Sequence, residues 1–402
     1  MSGNPFLKTA VLIFSLLLLP FIAYGQDNTL NILYTGAVRG ELEPCGCSPK
    51  TESGGVARLS GYIARNREGL RPYVLIDAGN STAEDTPQGR LKTEALLNSF
   101  GIMGYDAAAF LEPASPRGVH DALTGGDLSP LIEKYGVPAI SDYARDRSSV
   151  SVLRGPLRIN ISADPKGYKK GMFNILLTGK PVSEVRTIEG WDVIAASSGE
   201  ILEQPVTAGK TVIVSGYPKG EKLGILTIHT DVFGVVSGFV HRWQPLGKDI
   251  EEDSNVRDVL NEYDRKVASL VDEEEKGISS NGPYLGGLIC AVCHQPFMDG
   301  WKNTGHAGAF AALEKAGKSR DPECVKCHTV GYGEEGGFSS GATTPGLANV
   351  QCEACHGPGK GHVSDFTMPM RPVGEEVCLR CHTRENSPDF DFKTYFEKIR
   401  HK

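Results

Sequence analysis

Cys290-Ala-Val-Cys293-His294 is the first of four copies of one short pattern near the end of this 402-residue sequence. The other three are Cys324-Val-Lys-Cys327-His328, Cys352-Glu-Ala-Cys355-His356 and Cys378-Leu-Arg-Cys381-His382. Two cysteines at this spacing can form thioethers with the two vinyl groups of one haem, and the adjacent histidine then binds the iron. The sequence therefore predicts four covalently bound haem c groups, with the eight cysteines as attachment points and the four histidines as iron ligands.

Zinc and disulfide bonds are the competing interpretations of these cysteines. Paired Cys-x-x-Cys units can form tetrahedral zinc sites, and cysteines of exported chains are commonly oxidised to disulfides. Neither alternative explains why a histidine directly follows the second cysteine in all four copies. We therefore favour haem.

Further histidines of the same segment are candidates for the second axial position of the irons. They are His306, His362 and His401. In a segment of about 120 residues that holds four haems, nearly every histidine lies within reach of an iron. Three candidates for four irons leave one haem without an evident sixth ligand. The residues that remain for that position are Met298, Met368, Met370 and His120. If it stays open, that iron is where small-molecule chemistry would occur.

The segment from Cys290 to His401 resembles the tetrahaem cytochrome c-554 family. The matching residues are His306-Ala307, the run from Cys352 to Gly359 with His362, and the ending Cys381-His382-Thr383, Phe390, Tyr395 and Ile399-Arg400-His401. In that family stacked haem pairs pass electrons between redox enzymes, most haems have two histidine ligands, and one lacks a sixth ligand. The resemblance implies the same for this segment, and redox proteins as its partners.

The N-terminus has the pattern of a secretory signal peptide. Lys8 precedes an apolar run over 10–23, and Ala23-Tyr24-Gly25 provides the small residues of a cleavage site. The alternative is an uncleaved transmembrane anchor, but the run of about 14 residues is shorter than the roughly 20 that a spanning helix needs. We expect cleavage after Gly25 and a periplasmic protein that touches the membrane only through this leader. A net charge of −7 argues against nucleic acid as a partner.

Residues 26–275 read as a mixed α/β sandwich of about 250 residues. Short apolar runs predict strands, and apolar residues at helical spacing predict helices over 54–65 and 256–271. The predicted strands are 30–35, 73–77, 173–177, 193–196, 212–215, 224–230 and 235–243. The last two are predicted to be antiparallel neighbours. An acidic, glycine-rich stretch over 276–285 is the predicted linker to a mostly helical and irregular haem domain, residues 286–402.

Residues 30–270 resemble the metallophosphoesterase domain of periplasmic 5′-nucleotidases. The matching stretches are Ile32-Leu-Tyr-Thr35, Gly40-Glu-Leu-Glu-Pro44-Cys45, Gly54-Gly-Val-Ala-Arg58, Asp77-Ala-Gly79, Gly104-Tyr-Asp106-Ala and Gly224-Ile-Leu226. That family binds two metal ions with Asp, His and Asn. Here the aligned positions carry Gly36-Ala37-Val38-Arg39, Asn80, Glu112-Pro113-Ala114 and Ala195-Ala-Ser-Ser198.

The changed residues predict that the metal ligands have been lost. Alanine cannot bind a metal, and Arg39 would put a cation where a dication belongs. We expect an inactive domain for docking or regulation, in which Arg39 and Asn80 could hold an anion. Cys45 and Cys47 are interpreted as a loop thiol pair or disulfide rather than a metal or redox site. His229 and His241 are interpreted as ordinary surface residues.

The function predicted from these features is electron transfer by a tetrahaem cytochrome, with no catalytic residues assigned. Two alternatives stay open at this stage. One is reduction of a small molecule, such as a nitrogen oxide, at a five-coordinate haem. The other is an active 5′-nucleotidase-like hydrolase fused to a cytochrome.

Overall fold

A computed structural model describes residues 28–45, 52–111, 128–143, 147–231, 234–275, 282–384 and 386–400. The predicted signal peptide, Cys47, Glu112 to Ala114, His120 and His401 lie outside these residues, as does most of the predicted linker. Within the described part of the chain, no helix combines the length and the apolar character needed to cross a membrane.

Fourteen strands lie in the described residues of the N-terminal part. They are β1 Asn28–Thr35, β2 Pro44–Cys45, β3 Ser53–Gly54, β4 Tyr73–Asp77, β5 Ala107–Phe110, β6 Ala139–Ser141, β7 Ser149–Arg154, β8 Leu157–Ser162, β9 Phe173–Thr178, β10 Val193–Ala196, β11 Val206–Ala208, β12 Thr211–Ser215, β13 Lys222–Thr230 and β14 Val236–Pro245.

Five helices accompany the strands, and seven follow them in the C-terminal part. The first group is α1 Val56–Asn66, α2 Pro87–Met103, α3 Ser129–Tyr135, α4 Val182–Val185 and α5 Ser254–Glu275. The second group is α6 Gly287–Trp301, α7 Ala309–Ala316, α8 Pro322–His328, α9 Cys352–His356, α10 Lys360–Ser364, α11 Glu375–Cys378 and α12 Phe392–Ile399.

Two six-stranded sheets stack face to face in the N-terminal part. Their strand orders are β14-β13-β1-β4-β5-β6 and β11-β12-β10-β9-β8-β7. Side chains alternate along a strand, so Leu33 of β1 packs against helices α1, α2 and α5, while Ile32 and Tyr34 face the second sheet. Helix α4 covers the outer face of the second sheet. The result is an α/β/β/α sandwich, which confirms the predicted mixed α/β sandwich.

The predicted elements recur in the structure with small changes at their ends. Strand β10 matches the predicted 193–196, and the predicted antiparallel neighbours are β13 and β14. The predicted terminal helix of this part is α5, which extends beyond 271 to Glu275. The interpretation of His241 as a surface residue is wrong. Because residues two apart on a strand share a face, His241 lies beside Trp243, and its Nε2 is 2.9 Å from the Tyr34 hydroxyl.

The C-terminal part is helical, with one isolated bridge between Thr329 and Ala348. A small apolar cluster lies at its centre. Its buried members are Phe310, Leu313, Val325, Val330, Phe338 and Leu347. Such a cluster is small for a segment of more than a hundred residues.

Candidate haem-binding sites

Each Cys-x-x-Cys-His motif lies on or next to a short helix. The first is on α6, whose backbone departs from helical geometry at His294 (φ −119°, ψ 38°). The second and third end α8 and α9, and the fourth starts at the last residue of α11. Helical backbone brings residues i and i+3 to one side, so both sulfurs of a motif can approach one ligand. None of the eight motif cysteines forms a disulfide bond.

A cavity of about 850 Å³ opens beside the first and third motifs. Its polar lining consists mainly of thiols and imidazoles, from Cys290, Cys293, His294, His306, Cys352, Cys355, His356 and His362. Apolar side chains complete the wall, among them Phe297, Met298, Trp301, Val363, Phe366 and Phe396. This size and mixed lining are typical of a cofactor cavity. The sulfur and imidazole donors fit covalent attachment and iron ligation by haem.

Two pairs of imidazoles have the spacing of ligands that share one metal. The ring centroids of His294 and His362 are 6.4 Å apart, and those of His382 and His306 are 6.1 Å apart. A metal–imidazole bond is about 2 Å long, so two imidazoles on opposite sides of one metal have centroids about 6 Å apart. Each pair joins a motif histidine to a candidate for the second axial position.

Hydrogen bonds to backbone carbonyls orient several of these imidazoles. Nδ1 of His328 donates to Ala309 O at 2.7 Å, and Nδ1 of His362 donates to Met368 O at 2.7 Å. Nδ1 of His356 makes the same kind of bond to Arg371 O at 3.1 Å. A carbonyl can only accept, so Nδ1 carries the proton and Nε2 keeps the lone pair that binds a metal.

Burial further favours the metal-binding form of two imidazoles. It lowers the pKa of His306 and that of His382, and a neutral imidazole is the form that ligates iron. Phe390 stacks on His382 with centroids 5.0 Å apart, and Tyr395 meets the same ring edge-on. These aromatic contacts hold the ring in place on the side of α12.

Contacts between motifs join them in an order that differs from the sequence. The Cys290 thiol is in hydrogen-bond contact with Cys352. The Cys381 thiol makes the same kind of contact with Cys327. These sulfur contacts pair the first motif with the third and the second with the fourth.

Arg380 links the two pairs. This residue lies inside the fourth motif, and its guanidinium donates to Ala354 O of the third motif at 2.7 Å. The contacts therefore run from the first motif to the third, then to the fourth, and then to the second.

Glu353, inside the third motif, is a buried carboxylate that ties three segments together. It is 2% exposed and accepts hydrogen bonds from the backbone N–H groups of Leu285, Gly286 and Gly359. Gly286 (φ +81°) precedes the helix of the first motif, and Gly359 precedes α10, which carries His362. Glu353 thus fixes the distance between the segments that carry His294 and His362.

Among the described residues, no three His, Cys, Asp or Glu side chains converge closely enough to hold a metal ion.

The loops after β1 and β12 pack closely against each other, and the first of them carries positions that align with metal ligands of the phosphoesterases. A Cβ on Gly216, after β12, would lie 2.6 Å from the Cα of Gly36, after β1. Asp77 at the end of β4 is buried, and the hydroxyls of Thr35 and Ser81 and the N–H of Gly79 donate to its carboxylate. Its pKa is raised to about 6 because burial outweighs these hydrogen bonds.

Arg39 and Asn80 lie in the loops after β1 and β4, both with positive φ (56° and 54°). The Asn80 amide donates to Ser197 O at 2.8 Å, and the exposed Arg39 guanidinium extends toward Gly199. The structure brings the two loops together, but the Asn80 amide is engaged within the fold. The proposed anion site therefore has Arg39 as its main remaining donor.

Sequence reasoning missed Glu353, Arg371 and Arg380. All three act on backbone atoms of the third motif or its neighbours, since Arg371 donates to Cys355 O at 2.8 Å. A charged residue inside or after a motif is usually solvated, and no local signal marks these as exceptions.

Comparison with known proteins supports both resemblances. The family model described as "Cytochrome c554 and c-prime" matches residues 289–357. A cytochrome c-554 from Nitrosomonas europaea is 31% identical over 105 residues, which cover 22% of this chain and 45% of that protein. The match thus spans less than half of that relative's length.

The N-terminal part matches solved structures in fold. The crystal structure of a 5′-nucleotidase precursor from Thermus thermophilus superposes with a TM-score of 0.51 at 15% identity, covering 72% of this chain and 68% of that one. At this identity the likeness concerns the fold alone. The chain therefore joins a sandwich with the fold of that 5′-nucleotidase precursor to a C-terminal segment that is similar to cytochrome c-554.

Proposed function

We propose that this protein is an exported electron carrier with four haem c groups. The observation that carries the proposal is the pairing of His294 with His362 and of His382 with His306 at the spacing of two imidazoles on one iron. His356, His328 and His401 are proposed as further iron ligands. When bound, each haem supplies an iron that takes up and releases one electron.

The chain contributes attachment, orientation and exclusion of water. Thioethers from Cys290, Cys293, Cys324, Cys327, Cys352, Cys355, Cys378 and Cys381 are proposed to anchor the haems. The contacts between motifs favour a spatial order of first, third, fourth and second motif. Close neighbours in this order make short steps for electrons, so entry and exit are expected at the first and second motifs.

The larger domain, residues 26–275, is proposed to be a scaffold without phosphoesterase activity. The close contact between Gly36 and Gly216 and the engaged carboxylate of Asp77 support this, because Gly36 and Asp77 belong to stretches that align with the metal-binding motifs of the phosphoesterases. Residues 276–285 are proposed to link it to the haem domain, residues 286–402.

The proposal also includes export of the protein from the cytoplasm. The leader over 1–25 supports a periplasmic location, where redox proteins are the expected partners. The reduction of small molecules stays a rival hypothesis, and high-spin haem with turnover would support it.

A potentiometric titration of the purified protein tests the proposed function. We expect an orange-red protein in which four c-type haems are reduced reversibly, with most of the iron low-spin. A colourless protein that binds zinc would overturn the haem assignment, and rapid turnover of a nitrogen oxide would overturn the carrier assignment.

A further inference from the structure

Charged side chains of the larger domain contact the chain directly before the second haem motif. Lys92 of α2 donates to Glu323 at 2.7 Å, and Glu323 is the residue before Cys324. Gln88, one turn earlier on α2, donates to Asp321 at 2.9 Å. Asp321 caps the helix of the second motif by accepting from the N–H of Glu323. Two residues at the start of the motif helix are thus bound to one face of α2.

A second group of charges joins the two parts at Lys318, shortly before this helix. Its ammonium lies 2.7 Å from Asp264 of α5 and 3.1 Å from Glu43. Burial opposes the charge of Lys318, but the two carboxylates outweigh it and raise its pKa. Arg257 of α5 also binds Glu43, at 2.8 Å. The contacts of Lys92, Gln88 and Lys318 are called here the ionic latch.

The two lysines of the latch are shielded from water more than surface lysines usually are, whereas Glu323 is half exposed. The side chains of Lys92 and Lys318 are 11% and 17% exposed, and that of Glu323 is 50% exposed. Exposed pairs contribute little because water screens them, whereas a charge held in a partly dry contact acts over several ångströms. Lys92 is therefore positioned to influence a charge that changes at the neighbouring haem.

We propose that the larger domain is latched to the second haem motif through Lys92, Gln88 and Lys318, and that Lys92 and Glu323 set the electrostatic surroundings of that haem. The inference rests on the proposed function, since it requires a haem at Cys324 and Cys327. Lys92 and Glu323 are positioning residues that act through charge and do not contact the iron. The larger domain would thus influence the reduction potential of the haem at the second motif, which is the last motif in the spatial order of first, third, fourth and second.

Lys92 and Glu323 carry opposite charges, so substitutions that remove one or the other should shift the reduction potential of the haem in opposite directions. Structural damage would not produce such a difference in sign. Removal of a nearby positive charge favours the more positive, oxidised iron, and removal of a negative charge favours the reduced iron. In Lys92→Met we expect one of four reduction potentials to fall, and in Glu323→Gln we expect the same potential to rise. Lys266→Met is the matched control, because Lys266 binds Glu94 within the larger domain.

The experiment is a potentiometric titration of each full-length holoprotein, followed by EPR. Movement of one potential in opposite directions, with three unchanged and the control like wild type, is the expected result. Unchanged potentials in all variants, or shifts in one direction for both partners, would overturn the inference.

Hydrogen exchange tests the latch independently of potentials. In the double variant Lys92→Met/Lys318→Met, amides over 318–325 should exchange faster than in wild type, while those of β1 and β4 keep their protection. Equal protection over 318–325 would overturn the latch. A protein without covalent haem would contradict the proposed function, whereas a four-haem protein without these changes would contradict only this inference.

Discussion

The imidazoles of His294 and His362 face each other with centroids 6.4 Å apart and planes inclined by 29°, although two other haem motifs separate them in sequence. Glu353 holds the two segments in this arrangement through the N–H groups of Gly286 and Gly359. His362 of α10 can therefore approach His294 of the first motif, because the Glu353 carboxylate of the third motif holds the segments that carry the two histidines.

Replacement of His362 should change the spin state of one haem. In His362→Ala the iron beside His294 loses its second imidazole, so one of the low-spin EPR signals should convert to a high-spin signal. His306→Ala should do the same for a different haem, the one beside His382. His229→Ala, on β13, is the control and should leave the spectrum unchanged. A wild-type spectrum for both haem variants would contradict the ligand assignment.

Replacement of Glu353 should destabilise the haem domain. In Glu353→Gln an amide group would face backbone N–H donors, and we expect a loss of about 3 kcal/mol in the free energy of unfolding. The measurement is urea denaturation followed by the haem absorbance. Glu375→Gln, which changes an exposed residue of α11, should unfold like wild type. Equal midpoints for the two variants would argue against the role of the carboxylate.

Asp77 should make the stability of the larger domain depend on pH. Its folded pKa of about 6 exceeds the unfolded value of about 3.9, so the folded state binds the proton more tightly. The resulting stabilisation is complete below about pH 4 and is lost as the pH rises through about 6. Over this range the unfolding free energy of wild type should fall relative to that of Asp77→Asn by about 3 kcal/mol.

Urea denaturation followed by circular dichroism at a series of pH values from about 4 to about 7 measures this difference. Asp258→Asn, on the exposed side of α5, should follow the pH profile of wild type. Parallel profiles for wild type and Asp77→Asn would show that the carboxyl titrates normally.

The larger domain should not hydrolyse phosphate esters. With manganese added, we expect no release of phosphate from a nucleoside monophosphate above the rate without protein, because the stretches that align with the metal-binding motifs lack ligands such as those replaced by Ala37 and Arg39. A colorimetric phosphate assay, with an active 5′-nucleotidase as positive control, is the measurement. Saturable turnover that depends on manganese would contradict the scaffold assignment.

Local patterns in the sequence predicted much of the fold. Strand β10 and helices α1 and α5 follow from apolar runs and helical periodicity, because these signals lie within one element. The interpretation of His241 as a surface residue was wrong, because His241 lies on the same face of its strand as Trp243 and is half-buried.

The relationships within the candidate site depend on residues that are distant in sequence. The spacing within each motif predicts its own attachment, but it does not indicate that the first motif lies beside the third. The roles of Glu353 and Lys92 also depend on partners far along the chain, and a charged residue alone gives no sign of such a partner. These contacts required the three-dimensional structure.

The most direct test of the central claim is the intact mass of the denatured protein after expression with a cytochrome c maturation system. Denaturation removes any haem that is not covalently bound, so the account predicts the mass of the polypeptide plus four haems. Replacement of Cys290 and Cys293 by alanine should reduce the count to three. A mass equal to that of the polypeptide alone, or with fewer than four haems in the wild-type protein, would contradict the account.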